Sequence, residues 1–211
     1  MTIDTAEPGL RERKRLATRR AIQVAVLELL AERGLDGVTV DDISREADIS
    51  PRTFFNYFAS KEEAMIGDSP ELPEQVYLDG FLDGHGTVLD DLAVLLRHAG
   101  DRSTTDAEML QLRHRLVKQY PQLFAMRMAS LRAFEESVGD VVAQRLARDE
   151  PALAADREAR ASKARLITLV AFAAMKHAWA AWAHSERPGL LGDRLDDSFT
   201  QLRDLFASEH P

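Results

Sequence analysis

The chain contains no cysteine, and that absence excludes a disulfide framework, a thiolate metal site and a cysteine nucleophile. Its first twenty residues lack the apolar core that a secretory signal needs, so a cytoplasmic protein is expected. The longest apolar stretch, around residues 166–175, is shorter than a bilayer-spanning helix and stops at Lys176, so no membrane partner is expected. Signatures of catalysis are missing too. There is no glycine-rich phosphate loop, no Gly-x-Ser-x-Gly elbow and no His-Glu-x-x-His pair. Six histidines occur, but His177 and His184 stand seven residues apart, outside metal-ligand spacing, and surface or structural histidines are the default. Together these absences predict a protein that is no enzyme and holds no cofactor or metal. No internal repeat is visible.

Positive charge is in deficit: 27 Lys and Arg stand against 35 Asp and Glu, for a net charge of −8. It is not spread evenly. Residues 10–20 carry Arg11, Arg13, Lys14, Arg15, Arg19 and Arg20 against Glu12 alone. A basic cluster in an acidic chain is the footprint of a localised phosphate contact, because the whole molecule would otherwise be repelled by a polyanion. A solvated tail would have the same composition. The cluster lies directly before a helix with Ile22, Ala25, Val26, Leu29 and Leu30 at helical spacing and Gly34 placed to end it. That position favours the contact, with Arg13 and Lys14 as its candidates.

Residues 39–61, TVDDISREADISPRTFFNYFASK, hold three helix starts. The Thr39 hydroxyl can accept from the Asp42 N–H, Val38 and Ile43 sit where a hydrophobic staple needs them, and Asp41 and Asp42 complement the positive helix end. A helix over 40–47 follows. Ser50 then Pro51 marks the second start, with serine as cap and proline at the first helical position. Ser60 with Glu63 forms the third, a capping box. Only Asp48 and Ile49 separate the first helix from the second cap, so the two helices meet at a steep angle. This is a helix-turn-helix, with a recognition helix over 51–58.

In that helix Phe54 and Phe58 are i, i+4 neighbours that can pack inward on Ile43, Ala47 and Ile49. Arg52, Thr53, Phe55 and Asn56 are left outward. Arginine can bond a guanine edge bidentately, asparagine an adenine, and threonine or phenylalanine can pack on a thymine methyl. An ordinary surface helix pair with solvated polar groups would account for Arg52 and Asn56. It accounts poorly for an exposed Phe55.

The run Arg52, Thr53, Phe54, Phe55, Asn56, Tyr57, Phe58, Ala59, Ser60, Lys61, Glu62 resembles the helix-turn-helix signature of the TetR family of bacterial one-component repressors. The resemblance implies that Thr53, Phe55, Asn56 and Tyr57 meet bases or phosphates and that Lys61, at a helix start, binds a backbone phosphate, a role that helix-end electrostatics also supports; Thr39, the cap of the preceding helix, is a further candidate for DNA contact. Two positions depart from the family pattern. Asp48 stands where glycine is usual, and must take a turn conformation that aspartate tolerates less well than glycine. Ala59 stands where proline is usual, which loosens the entry to the next helix.

The chain divides by sequence into residues 1–66, an N-terminal arm and three-helix DNA-binding domain, and residues 67–211, a helical ligand-binding and dimerisation domain. The fold class is all-α. Pro70, Pro73, Gly80, Gly84 and Gly86 mark a broken connection. Beyond it the periodicity predicts helices over 87–98, 106–119, from Pro121 through Val142, from Pro151 to about Ser185, and over 195–207, the last with Phe199, Leu202, Leu205 and Phe206. Residues 112–149 resemble the C-terminal domain of actinobacterial regulators related to the mycofactocin-cluster regulator, a group associated with long-chain acyl-CoA. An acyl thioester needs an apolar slot and cations at its mouth. Met109, Phe124, Met128, Phe134, Trp179 and Trp182 are the slot candidates, and Arg113, Arg115 and Lys118, read as outward-facing, are with Arg127 the phosphate candidates. The aromatic and alanine stripe from 171 to 183 could equally be core or a dimer interface, a homodimer being implied by the family and by the short reach of one recognition helix. The expected partners are thus a double-stranded DNA operator, a small-molecule effector and a second copy of the chain. The alternative is a helical ligand-binding or partner-binding protein whose head does not read DNA.

Overall fold

The computed structural model describes residues 9–101, 107–183, 185 and 190–207, and every element in them is an α-helix. In chain order these are α1 (Leu10–Arg33), α2 (Val40–Glu46), α3 (Pro51–Phe55), α4 (Lys61–Ile66), α5 (Gln75–Leu82) and α6 (Val88–Asp101). There follow α7 (Ala107–Gln119), α8 (Pro121–Asp149), α9 (Pro151–Ala155), α10 (Arg157–Ala183) and α11 (Leu191–Ala207). The all-α class expected from the sequence is the one adopted. The helix start expected at Asp106, His184 and the side chain of Phe206 lie outside the described residues.

The chain forms two compact units that are not continuous in sequence. The first comprises Met1–Asp68 with Glu108–Arg127, the second Ser69–Ala107 with Met128–Pro211. In the first, α1 packs on α2 and α4, and α2 on α3. Its core includes Ile22, Leu27, Leu30, Ile43, Phe54, Phe58 and Met65, closed by Leu116 and Val117 of α7 and Leu123 of α8. A linear division at 66/67 would send residues 108–127 to the body, whereas their apolar face packs with the head. Periodicity shows that a helix has a face to bury, not which core receives it.

Helix ends in this unit follow the caps read from sequence. Thr39 closes a capping box with Asp42, accepting from its N–H at 3.2 Å while the Asp42 carboxylate takes the Thr39 N–H. The bond from Thr39 also holds the Asp42 carboxyl below the usual carboxylate range, against the opposing effect of burial. Ser50 accepts from Thr53 N–H at 3.0 Å, with Pro51 at the first position. Gly34 ends α1 at φ 72°, and its N–H reaches Leu30 O at 3.0 Å.

Three expectations need correction. The basic residues 10–20 are not an arm ahead of the first helix but its first half, since nothing there breaks a helix and Glu12 pairs with Arg15 at 2.8 Å. The recognition helix is α-helical only to Phe55, because Asn56 and Tyr57 bond to Thr53 O and Phe54 O and so tighten the last turn. The third cap is offset. Ser60 accepts from Glu63 N–H at 3.1 Å, but the Glu63 carboxylate takes the N–H of Ala59 at 2.6 Å, a bond that the family's usual proline could not donate. Ala59 therefore ties the entry to α4 rather than loosening it.

The second unit packs α10 on α11 and α6, α11 on α6, and α5 on α6. Its core gathers Phe81, Leu92, Leu95, Phe134, Val138, Val142, Ala171, Ala178 and Phe199. The segment read as a broken connection contains α5, which runs through Gly80 unbroken. The helix expected from Pro151 is two, parted at an extended Asp156 whose carboxylate accepts from Ala159 N–H at 3.0 Å. The last helix starts earlier than expected, at Leu191, and Leu205 is 69 % exposed rather than inward. Helix α10 has 27 residues and a mean hydropathy of 1.3 in its most apolar window, so by length and composition it could cross a membrane, contrary to the sequence argument. Arg157, Arg160, Lys163, Arg165 and Lys176 punctuate it, while Ala164, Ala171 and Ala178 pack in the core. Those charges fit a helix packed in a protein better than one in lipid.

Arg145 on α8 pins the turn between α5 and α6. Only 1 % exposed, it donates to Phe81 O, to Gly86 O at 3.1 Å, to Asp91 at 3.0 Å and to Asp149. Burial works against its charge, and the bonds to Asp149 and Asp91 outweigh that effect and leave its pKa above arginine's ordinary value.

Asp48 has φ 53°, the left-handed conformation that its place in the turn demands. Replacing Asp48 by glycine removes the Cβ penalty and should raise stability by about 1 kcal/mol. Thermal or urea unfolding of D48G against the parent checks this, and an unchanged or lower midpoint would count against strain at this turn.

Candidate functional site

The sequence of α3 divides as its spacing requires. Phe54 is buried, its ring 5.9 Å from that of Phe58, while Phe55 is 57 % exposed and Arg52 and Asn56 face solvent. Thr53 is half-buried and shares a 2.8 Å hydroxyl bond with Ser50. The outward set is the mixture of bidentate donors and apolar contacts that a major-groove reader uses.

Beside it lies an open groove of about 650 Å³ lined by Arg11, Lys14, Arg15 and Arg19 of α1 and by Thr53, Asn56 and Tyr57. Four cations face one carboxylate there, Glu12. Of the two candidates there, Lys14 lines the groove and Arg13 is exposed without lining it, whereas Arg11 and Arg15 do line it. The missed signal was helical phase: positions 11, 14, 15 and 18 share a face of α1, and 13 does not.

Two expected DNA contacts are already engaged. The Thr39 hydroxyl donates to Asp42 at 2.5 Å and its N–H to the same carboxylate at 3.2 Å, leaving no Thr39 donor for a phosphate. The Lys61 ammonium donates to Leu35 O at 2.9 Å and Val38 O at 2.7 Å, stapling the start of α4 to the loop between α1 and α2. One of its three N–H groups remains for an anion.

Arg19, a residue the sequence reading did not single out, joins the reading turn to the end of α4. Its Nη1 donates to Tyr57 O at 2.9 Å, its Nε and Nη2 reach Asp68 at 2.8 and 2.5 Å, and its guanidinium lies 4.2 Å over the Phe58 ring. Gln23 also donates to Asp68, and Arg127 reaches the Asp68 carbonyl at 2.8 Å.

Arg113, expected to face outward, and Arg127 are each half-buried in this same unit. Burial pushes the Arg113 guanidinium down to about 10, Asp68 opposing and Arg127 reinforcing the shift. Burial lowers Arg127 as well, with Asp68 again opposing. The other ligand candidates do not gather in one unit. Met109 packs against the head core and Phe124 is exposed, both in the first unit. In the second, Met128 is exposed, Phe134 is buried 5.6 Å from the Phe172 ring, and Trp182 is buried edge-on to Trp179 at 5.4 Å.

A capped helix pair that turns base-reading side chains outward next to a cation-lined groove is the head of a DNA-binding regulator. The family model described as bacterial regulatory proteins, tetR family, matches residues 22–64, and that described as the MftR C-terminal domain matches residues 87–207. The protein named as the mycofactocin biosynthesis transcriptional regulator MftR in Mycobacterium tuberculosis is 36 % identical over 138 residues, covering 63 % of this chain and 68 % of that one. The HTH-type transcriptional regulator TcmR of Streptomyces glaucescens is 44 % identical over 59 residues, 28 % of this chain and 26 % of its own. Among solved structures, NalD of Pseudomonas aeruginosa, the secondary repressor of the MexAB-OprM efflux pump, aligns with a TM-score of 0.56 at 20 % identity, covering 90 % of this chain and 96 % of that one. FadR of Bacillus halodurans aligns with a TM-score of 0.53 at 15 % identity over 93 % and 96 %. This chain belongs to the TetR family of bacterial regulatory proteins, in the branch with an MftR-type C-terminal domain, and is a transcriptional regulator.

Replacing Lys61 with methionine strands two carbonyls and should cost about 2 kcal/mol of folding stability, a loss visible in urea unfolding without any DNA. A variant as stable as the parent would instead leave Lys61 free to act on phosphate alone. Arg52→Ala should leave folding unchanged and weaken a specific duplex by about 1–3 kcal/mol.

Proposed function

We propose that the chain acts in the cytoplasm as a homodimeric repressor, held on a palindromic operator and released by a small apolar effector, with long-chain acyl-CoA the first class to test. The observation that carries this reading is the pairing of the exposed Arg52, Phe55 and Asn56 with the basic groove of Arg11, Lys14 and Arg15 in one packed unit. Base-edge contacts supply the discrimination and the groove supplies affinity. A local cationic surface is what lets a chain with a net charge of −8 approach a polyanion.

One short recognition helix reads too few base pairs to be selective, and two-fold pairing doubles the site. Helix α10 supports pairing with a second copy, since Leu166 and Leu169 stand 63 % and 46 % exposed at neighbouring turns of its apolar stretch. The acyl-CoA class rests on the likeness of residues 112–149 to regulators associated with such ligands. Because only differential affinity shifts a population, the effector acts by binding better to the conformation in which the two reading helices no longer match the groove.

The test is a gel shift on the DNA upstream of the chain's own gene. Sequence-selective retardation, relieved by palmitoyl-CoA, is the expected result. Retardation of every duplex alike, or of none at low salt, favours instead a helical ligand-binding or partner-binding protein. For the assembly, light scattering should give twice the 23.6 kDa chain mass, falling to one chain in a Leu166→Glu, Leu169→Glu variant. A parent that scatters as a monomer at all concentrations rules out the pairing.

A further inference from the structure

Among the described residues two buried side-chain atoms lack a hydrogen-bond partner, Ser44 Oγ and Arg113 Nε, and only the second carries charge. An unpaired guanidinium N–H away from water is costly, and such groups are retained where something satisfies them part of the time. Gly67 packs against the face of Arg113 at φ 77°, where a methyl group would come to 2.8 Å from the guanidinium carbon, so only glycine lets the backbone lie this close and leave the edge of the guanidinium to other partners. Arg127 adds a second guanidinium, one of whose N–H groups is taken by the Asp68 carbonyl. Asp68 is the carboxylate that acts on both arginines, yet its own oxygens accept from Arg19 and Gln23 rather than from Arg113. Two half-buried guanidinia thus share the field of one carboxylate that is already engaged.

The structure assigns Arg113 and Arg127, against Gly67, as a binding site for a single oxyanion group, a carboxylate or a phosphate, carried by the effector. The assignment rests on the ligand-responsive reading above and narrows it to one recognition point. Guanidinium Nε with a terminal N–H presents the fork that a planar or tetrahedral oxyanion fills with two parallel bonds. The site also touches the reading head through one residue. Asp68 holds Arg19, whose Nη1 donates to Tyr57 O at the end of the reading turn, so a second negative charge beside Asp68 acts on the group that positions that turn.

The experiment is thermal unfolding of the full chain at fixed ionic strength with potassium phosphate, coenzyme A or palmitate, in the parent and in Arg113→Met. The parent should melt higher with phosphate, and one of the other two should bind more tightly, which separates a phosphate source from a carboxylate source. Arg113→Met should melt above the parent when no oxyanion is present and should lose the response. Arg127→Gln, which can still donate to the Asp68 carbonyl, should bind about tenfold more weakly. A parent indifferent to all three, an Arg113→Met response equal to the parent's, or an Arg113→Met protein that melts lower without oxyanion would each overturn the site. If Arg113→Met does not fold, Arg113→Lys decides: an undiminished response there defeats the assignment. Release of operator DNA by palmitoyl-CoA from Arg113→Met as readily as from the parent would sink this site and leave the repressor reading standing. Failure of the parent to retard any duplex would sink that reading, while the melting data still decide the site.

Discussion

A protein made of helices is made of helix ends, and every C-terminal end leaves carbonyls that no later turn can satisfy. In this chain long cations satisfy carbonyls of two kinds, those in the last turn of a helix and those in the connections between helices. Lys61 takes Leu35 O and Val38 O, Arg19 takes Tyr57 O, and Arg127 takes Asp68 O. In the second unit Arg145 takes Phe81 O and Gly86 O, Arg148 takes Leu82 O and Gly84 O, and Arg160 takes Leu153 O and Ala154 O. A cation near a helix C-terminus also meets the negative end of the helix dipole. Those of Arg160 apart, these bonds span long sequence separations, so they fix how helices meet, whereas the Ser and Thr caps fix only where each begins.

The reading surface depends on that arrangement. The turn that carries Asn56 and Tyr57 is short, wound tighter than an α-helix at its end, and held from behind by the Phe54 and Phe58 rings and by Arg19. Arg19 is tied in turn to Asp68, beside the half-buried Arg113 and Arg127. The charge that approaches DNA and the charge that would meet an effector thus share one aspartate within the first unit. The acidity of the chain as a whole makes the few cations of the groove decisive.

Local features were readable in the sequence because their causes are local. Thr39, Ser50 and Gly34 sit where they cap, Asp48 carries the positive φ its turn implied, and Phe55 is exposed as the i, i+4 burial of Phe54 and Phe58 required. Other features depended on partners distant in sequence. Lys61 looks like a free cation until Leu35 and Val38 are brought beneath it, Arg113 looks solvent-facing until Gly67 crosses it, and α7 looks like part of the body until its Leu116 and Val117 reach the head core. The offset cap at Glu63 is local, yet residue type alone did not show it, because the carboxylate chose between the adjacent amides of Ala59 and Ser60 on geometry.

The sequence by itself determined the all-helical class, the three capped starts of the reading head and the residues its short helix turns outward, since each follows from neighbours within about one helical turn. Tertiary structure alone decided which cations remain free to meet a phosphate, which are spent on backbone carbonyls, and which, like Arg113, are buried with an N–H unspent. The reason is physical. A side chain's charge is written in the sequence, but the water and acceptors around it are supplied by whatever the fold packs against it.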